Sequence, residues 1–532
     1  MVLRNAMMLF LQGNLDEAMH EVNKQLESSL EDEDRLEYQL LKSNIMIKFG
    51  QYEDGLELAK QVLKKSQEIK NAFIALNARI TSAEALYRLD KLDNCLKMLE
   101  IAENTLSSLQ NLEQLRTAER NATIMSIKGN LYLKKGDYDL ASECFHQSKK
   151  VLEDVDYEKV LIEDGDSGKN LCLPVANALF GIIRLSVESG EGIALTPHLQ
   201  QLRDITEKTD CKIINHQHQI AEALVLRTSN RIINQAKAQA KFHQIMDERI
   251  IDQELKALAI LNLCDLLLLE MWTSGDDEIL GEIKTLSMDL ENIAKNLQSY
   301  SLLAETYIIQ SRLALLELNA RKVKDLLTRA QNLAEKNGLK KLALKISYEH
   351  DSLLDQLSKW DSLEKDVSIA KRIELIQMEN LYVRMIQKHV DDISETPEEP
   401  VLLLILGESG ESILSKTFLS EKQFPEKLVT GFLTAINSFM REAFSLAGHA
   451  ERIKHQEYTL LLRSSEPLMF CYAFKGQSYV ALQKLTKFIE EVKSSGPTWT
   501  VLTAKSPVLT EELEKTLDGQ IEGTFLSSAG TE

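Results

Sequence analysis

Proline is scarce and unevenly placed in this chain of 532 residues. Six of its eight prolines follow residue 396, and the long preceding segment contains only Pro174 and Pro197. Because proline disrupts the interior of a helix, this depletion predicts nearly continuous helix up to that point. The change in composition places a domain boundary at residues 393–400, an acidic, proline-containing stretch that we interpret as a linker.

Other absences exclude several classes of function. The net charge of −19 argues against a general nucleic-acid-binding surface, which would need clustered basic residues to neutralise phosphates. The six cysteines include no CxxC pair, so we expect reduced thiols and a cytoplasmic protein. The most apolar run, from Leu261 to Trp272, is interrupted by Asp265 and Glu270 and is too short to span a bilayer. We therefore expect no nucleic-acid partner and no membrane span.

The sequence also lacks a recognisable set of catalytic or metal-binding residues. Gly165 to Lys169 matches a phosphate-binding loop only in part, because that motif requires a glycine at the position of Glu163. We interpret residues 163–169 as an exposed loop between helices. His216 and His218 are two residues apart, so a helix would point them in different directions. We therefore expect no enzymatic activity, no cofactor and no metal site.

A short motif recurs about every 40 residues in the first part of the chain. It reads glycine, any residue, an aromatic residue or leucine, two further residues and a small residue. Its copies begin at Gly13, Gly50, Asp90 and Gly136, so the spacings are 37, 40 and 46 residues. Each copy separates two stretches with helical apolar spacing, and glycine suits the left-handed position that ends a helix. Repetition at this period predicts an α-solenoid, in which each unit buries its apolar face against its neighbours.

The fourth copy resembles the tetratricopeptide repeat (TPR) family. Gly129 and Tyr132 precede its turn, and Tyr138, Ala141 and Phe145 follow it at the places of the family pattern. The resemblance implies paired helices whose groove binds partner peptides or helices. The spacings exceed the usual period of about 34 residues, which indicates longer helices.

The resemblance fades after residue 150. We expect degenerate helix pairs over 151–392, with turns near Gly190, Asn230, Gly275 and Asn319 and a last long helix at 361–392. The predicted solenoid therefore covers residues 1–392, in about eight repeats.

The TPR resemblance also indicates where a partner would bind, because the first helix of each repeat lines the groove. In repeats two to four, polar residues four apart share one helix face. The candidate partner-binding residues are Asn44, Lys48, Glu84, Arg88, Asn130 and Lys134. TPR proteins that bind peptide carboxylates carry Asn and Lys at such positions, but the basic residue expected one turn earlier is replaced by Leu40 and Ser126. The alternative is that these side chains are solvated at the edge of the groove.

Residues 401–496 have the alternating pattern of a small α+β domain. Strands are predicted at 401–406, 412–419, 452–456, 458–462 and 468–474, and helices at 428–444 and 479–492. The order ββ-α-βββ-α, with the junction from Phe474 to Tyr479, resembles the roadblock/longin superfamily. Modules of that superfamily often serve as platforms for small GTPases or for dimerisation.

The sequence therefore predicts a mainly α protein, a TPR-like solenoid followed by a small α+β domain and a tail at 497–532 with a short helix near 511–517. The function that we favour is a non-catalytic scaffold that binds partner proteins in the groove. The alternative is a regulator or platform for a small GTPase, or self-association, through the C-terminal domain.

Overall fold

The computed structural model describes most of the chain and divides it into two compact units. The described residues are 2–109, 114–153, 165–190, 195–209, 211–229, 231–248, 252–274, 276–317, 319–360, 398–407, 411–418, 450–455, 457–504 and 510–526. The first unit contains those up to Leu316 together with 333–342, and the second contains 317–332, 343–360 and those from 398 onward. The predicted class, an α-solenoid followed by an α+β domain, is confirmed.

The solenoid is a succession of helix pairs. Its helices are α1 (Val2–Leu11), α2 (Leu15–Leu26), α3 (Asp32–Lys48), α4 (Tyr52–Glu68), α5 (Ala72–Arg88), α6 (Leu92–Ser108), α7 (Gln114–Lys135), α8 (Tyr138–Glu153), α9 (Gly165–Ser189), α10 (Leu195–Lys208), α11 (Lys212–Arg227), α12 (Ile232–Asp247), α13 (Gln253–Ser274), α14 (Asp277–Asn296), α15 (Tyr300–Leu316), α16 (Ala320–Lys336) and α17 (Lys340–Trp360). In the first unit, consecutive helices pack as pairs from α1–α2 to α13–α14.

The turn of each early pair adopts the left-handed backbone that its glycine predicts. Gly13, Gly50 and Gly136 have φ values of 77°, 84° and 83°. The amide of Gly50 donates to the carbonyl of Ile47 at 3.0 Å, which satisfies a carbonyl at the end of α3. Asp90 has a φ of 56° at the equivalent place, although a side chain disfavours this conformation.

The aromatic residue of the fourth repeat fills the space between two glycines. An added Cβ on Gly129 of α7 or on Gly181 of α9 would lie within 2.6 Å of the ring of Phe145 on α8. Phe145 is fully buried. Close packing of three helices at this point therefore requires glycine on both sides of the ring.

The later helices follow the predicted rhythm with one correction. Gly190 follows α9, and Asn319 stands between α15 and α16, as expected. Asn230, Gly275 and the predicted helix at 361–392 lie outside the described residues. The loop predicted at 163–169 was wrong in its described part, because α9 already begins at Gly165.

The C-terminal domain is built on a five-stranded antiparallel sheet. Its strands are β1 (Glu399–Leu406), β2 (Ser412–Thr417), β3 (Ala450–His455), β4 (Tyr458–Ser465) and β5 (Leu468–Lys475), in the order β2-β1-β5-β4-β3. Glu399 and Pro400 pair with Lys475 and Phe474, so the end of the predicted linker belongs to β1. The predicted helix at 428–444 lies outside the described residues.

One face of the sheet packs against three helices and a π-helical turn. These elements are α18 (Ser478–Ser494), α19 (Gly496–Leu502), α20 (Glu511–Ile521) and the π-helix Glu522–Leu526. Leu517, Ile521 and Phe525 lie in the same core as Phe470 and Tyr472 of β5. Part of the segment that we set aside as a tail therefore completes the core of the domain.

A polar contact joins α17 to the sheet within the second unit. Asp351 accepts a hydrogen bond from the backbone amide of Ser478 at 2.9 Å, at the start of α18. The same carboxylate pairs at 3.2 Å with Arg452 of β3, a side chain that is 2% exposed. Part of α17 therefore supports the domain, although we had assigned this helix to the solenoid.

Candidate partner-binding site

Three of the candidate residues are cations at equivalent places in successive repeats. Lys48 and Arg88 are the last residues of α3 and α5, and Lys134 lies in the last turn of α7. Each stands two residues before its left-handed turn residue. The C-terminal end of a helix carries a partial negative charge, which favours cations at these positions.

Two of these cations bind an acidic residue that lies far along the chain. Arg88 donates from Nη1 and Nη2 to the two carboxylate oxygens of Asp252, at 3.1 and 3.2 Å. Lys48 Nζ lies 3.4 Å from Asp252 Oδ2 and 3.0 Å from Glu84 Oε1. The two-pronged contact of a guanidinium with a carboxylate is a strong, directional form of hydrogen bonding.

A second carboxylate of the same segment contacts the same guanidinium. Glu254 pairs with Arg88 and accepts a hydrogen bond from the hydroxyl of Tyr87 at 3.3 Å. Asp252 also accepts a hydrogen bond from the amide of Glu254 at 3.0 Å, which caps the start of α13. We call Lys48, Glu84, Arg88, Asp252 and Glu254 the charge cluster.

The cluster is largely shielded from water, and its ionised state is strongly favoured. The side chains of Arg88 and Asp252 are 12% and 7% exposed. Burial alone would raise the pKa of Asp252, but Arg88 and Lys48 outweigh it and hold this pKa well below its usual range. Burial would likewise raise the pKa of Glu84, yet Lys48 and Arg88 lower it. Burial opposes the charge of Lys48, but Glu84 and Asp252 raise the pKa of this ammonium.

Lys134 pairs with the unusual turn residue of the third repeat. Its ammonium lies 2.7 Å from Asp90 Oδ1 and 4.5 Å from the centre of the Tyr87 ring. Asp90 also accepts hydrogen bonds from the amide of Ser301 at 2.8 Å and from the hydroxyl of Ser299 at 3.1 Å. These buried bonds offset the cost of a left-handed aspartate.

The two candidate asparagines do not join the charge cluster. Asn44 Oδ1 accepts a hydrogen bond from the hydroxyl of Thr81 at 2.9 Å, between α3 and α5. Asn130 donates to the carbonyl of Ser126 in its own helix at 3.0 Å. Both side chains are half-buried. The six candidate residues therefore have internal partners, and their role in binding another protein stays a prediction.

The contacts of the charge cluster form part of a longer series. The turns of the first four pairs each approach the start of a helix about 200 residues later. Lys212 at the start of α11 donates from Nζ to Asn14 at 2.7 Å. An added Cβ on Gly136 would meet Lys341 near the start of α17 at 2.2 Å, and Lys341 lies 3.5 Å from the centre of the Tyr138 ring. Within the first unit, the turns of the early helix pairs therefore contact the starts of later helices.

Sequence reasoning missed the partners of the candidate residues. Asp252, Glu254, Ser299 and Ser301 belong to the degenerate repeats, where the motif gives no register. One signal was available: Asp90 stands where the other three early turns have glycine. A costly aspartate at a turn indicates a contact that compensates for it.

Other polar groupings of the first unit are less organised. A cleft of about 400 Å³ lies between α10 and α11 and is lined by Thr196, Leu199, Gln200, Arg203, Thr206, Glu207, His218 and Glu222. Arg203 and Glu207 pair at 3.1 Å, but both are exposed, so this ion pair contributes little. Among the residues that the structure describes, no three His, Cys, Asp or Glu side chains are grouped to hold a metal ion.

Comparisons with known proteins give distant likenesses among solved structures. No protein-family model matches the chain, and a search of curated proteins finds no relative. A crystal structure of Rap protein complexed with competence and sporulation factor is similar, with a TM-score of 0.46, 12% identity and coverage of 74% of this chain and 98% of that one. The Saccharomyces cerevisiae separase–securin complex matches with a TM-score of 0.38 and 12% identity over 97% of this chain, which spans 40% of the separase-complex chain. At these values the similarity carries no functional argument.

One stretch of the described chain is long and apolar enough to cross a membrane. It is Cys172–Ser189 of α9, and 78% of it is buried inside the protein. Burial of this kind is common for a core helix of a solenoid, so the stretch is weak evidence for a membrane span.

Proposed function

We propose that this protein is a non-catalytic, cytoplasmic scaffold whose solenoid binds partner peptides or helices. The supporting observation is the charge cluster. Lys48 and Arg88, two of the six candidate partner-binding residues, bind the carboxylates of Asp252 and Glu254. These two cations are therefore arranged to hold carboxylates, and the carboxylates that they hold belong to the same chain.

The ionisation of the cluster supports a binding role over a catalytic one. A general acid or base works best with a pKa near the operating pH. The pKa of Asp252 is moved down and that of Lys48 is moved up, so both groups are held further from neutral pH. Such a site favours fixed charges that recognise other charges.

The cysteines support the cytoplasmic part of the proposal. None of the six forms a disulfide, and five of them are buried. Burial raises the pKa of the Cys471 thiol to about 12, which keeps it protonated and unreactive. Thiols that are not joined in disulfides fit a reducing compartment.

The C-terminal domain supplies the second candidate function, a roadblock/longin-like platform for a small GTPase or for self-association. The order of its described elements supports this alternative. Within the described sheet, β2 lies at an edge and pairs with β1 on one side. Its residues are half-buried or exposed. An edge strand of this kind can pair with a strand of another molecule.

Cross-linking of full-length protein to co-purified partners, read by mass spectrometry, separates the two candidates. Cross-links from a partner to α3, α5 or α7 would support binding by the solenoid. Cross-links confined to residues 398–526 would favour the second candidate. Failure to recover any protein in excess over a control bait would contradict the scaffold and the GTPase platform, and cross-links between two copies of this chain at 398–526 would support self-association.

A matched pair of variants sharpens this test. Asn130→Ala removes a candidate contact and loses only a bond within α7, so it should leave folding intact. Lys134→Ala would instead remove the ammonium that pairs with the buried Asp90, so this variant should lower thermal stability. Partner binding that is weakened by Asn130→Ala at unchanged thermal stability would place the partner on this face, and unchanged binding would exclude Asn130.

A further inference from the structure

The segment Asp252–Glu254, which supplies two carboxylates of the charge cluster, has the features of a bound ligand. Asp252 and Glu254 are two residues apart, and both contact the guanidinium of Arg88, which is 164 residues from Asp252 in sequence. Lys48 and the hydroxyl of Tyr87 supply further contacts to the two carboxylates. Two cations and a hydroxyl on α3 and α5 thus recognise an acid–any residue–acid segment.

The fit of this segment is incomplete. Nε of Arg88 is buried and has no hydrogen-bond partner in the described structure. A buried donor that is left unsatisfied carries a desolvation penalty. A separate peptide with greater freedom to adjust its carboxylates could satisfy this donor, whereas Asp252 is fixed by its role as the cap of α13.

From these observations, and resting on the proposed function, we propose that Asp252–Glu254 occupies in cis the binding site for an acidic segment of a partner. The ligand class is a peptide that carries two carboxylates in an acid–any residue–acid arrangement. The peptide binds Lys48 and Arg88 after it displaces the start of α13. The scaffold is therefore self-inhibited until an acidic partner competes successfully.

Competition with a tethered segment reduces the apparent affinity of a free ligand. The apparent dissociation constant is the intrinsic one divided by the fraction of protein whose site is open. Weakening the cis segment increases that fraction without altering Lys48 or Arg88. Neutral substitutions at Asp252 and Glu254 should therefore tighten binding of an acidic peptide by roughly tenfold or more.

The test uses the full-length chain and a fluorescein-labelled peptide with the sequence of residues 249–258. A matched peptide carries Asn and Gln in place of the two acids. We expect Glu254→Gln, and more strongly Asp252→Asn with Glu254→Gln, to bind the acidic peptide at least tenfold more tightly than the wild-type chain. The matched peptide with Asn and Gln, which we call the amide peptide, should bind neither the wild-type chain nor the variants. Equal affinity of the wild-type and variant chains for the acidic peptide would overturn the proposal.

Two controls keep the outcome decisive. Glu254→Gln retains the pairing of Asp252 with Arg88, so it should stay folded by circular dichroism even if the double variant does not. In the wild-type chain, a high concentration of the acidic peptide should speed hydrogen exchange at residues 252–256, and the amide peptide should not. Unchanged exchange together with unchanged affinity of Glu254→Gln would contradict displacement.

The result can be separated from that of the cross-linking experiment. A partner that cross-links to α3 or α5 while no variant binds the acidic peptide would leave the scaffold function intact and refute the ligand class. Peptide binding by the variants, with no partner cross-linked to the solenoid, would support the site and count against the scaffold function.

Discussion

Within each of the two units, distant segments are joined by a different kind of contact. In the first, carboxylates near the start of α13 pair with cations at the ends of α3 and α5. In the second, the centre of the Phe525 ring lies 4.6 Å from the centre of the Tyr472 ring and 5.6 Å from that of the Phe488 ring. Removing one buried charge leaves its partners uncompensated, whereas removing apolar volume costs in proportion to the cavity. The charge cluster of the first unit should therefore respond to charge and pH, and the aromatic core around Phe525 in the second unit should respond to side-chain size.

The largest expected effect is on the charge cluster. Asp252→Ala should lower the free energy of unfolding of the first unit by about 3–5 kcal/mol, because it removes the two hydrogen bonds to the buried Arg88, the contact with Lys48 and the cap of α13. Glu84 and Glu254 remain as carboxylate partners of the two cations. Hydrogen exchange by mass spectrometry measures this unit separately from the second. A loss below about 1 kcal/mol would show that water already reaches the cluster.

The matching change in the second unit is Phe525→Ala. Loss of a buried aromatic ring should lower the free energy of unfolding of this unit by about 3–5 kcal/mol. Phe525→Leu should recover much of the loss, since it restores apolar volume. Urea unfolding followed by hydrogen exchange at α18 tests both variants, and equal stabilities of the two would argue against packing as the cause.

The turn of the third repeat should show a smaller effect. Asp90→Gly removes the strain of a left-handed side chain but also removes the acceptor of Ser301 and the partner of Lys134. We expect a net loss of about 1–3 kcal/mol in the free energy of unfolding, because buried polar groups would be left unpaired. Thermal unfolding would measure it, and a more stable variant would show that glycine is preferred there as in the other turns.

Acid should weaken the first unit through Asp252 and Glu84. The folded-state pKa of each lies below its unfolded value of about 4, so their stabilising contribution is fully present above that pH. The contribution is lost as the pH falls through the lower folded-state values. The difference in stability between the wild-type chain and Asp252→Asn should therefore shrink below about pH 4. A difference that stays constant down to pH 2 would exclude this account.

The smallest effect is expected at the surface. Lys135 pairs at 2.8 Å with Asp93, whose side chain is 84% exposed. Lys135→Ala should change the free energy of unfolding by less than about 1 kcal/mol, because water and salt screen exposed ion pairs. The same measurement as for Asp252→Ala serves here, and a comparable loss would erase the distinction between buried and exposed charge.

Local features could be predicted from the sequence, but contacts between distant segments could not. Glycine at positions 13, 50 and 136 marked the turns correctly, and the apolar run at 401–406 marked a strand. The pairing of Arg88 with Asp252 depends on how each repeat is rotated against the next. That rotation is set by many small packing contacts along the solenoid, and the motif does not encode it.

Two errors had signals that we did not use. Leu517, Ile521 and Phe525 are spaced four residues apart, which predicts a buried helical face in the segment set aside as a tail. The loop expected at 163–169 relied on its glycines and acids, whereas glycine at the first position of α9 disturbs few helical hydrogen bonds. The six candidate residues could be chosen from their places in the repeats, but their internal partners could not be foreseen, and their role in binding another protein stays a prediction.

The ring of Phe145, held between Gly129 and Gly181, has a consequence for the history of the chain. An extra methyl group at either glycine is compatible with this packing only if the side chain at 145 becomes smaller. The side chains allowed at the three positions therefore depend on one another, although the positions lie on three different helices. In related sequences they should change together, and that joint variation would identify the fourth repeat even where its turn motif has been lost.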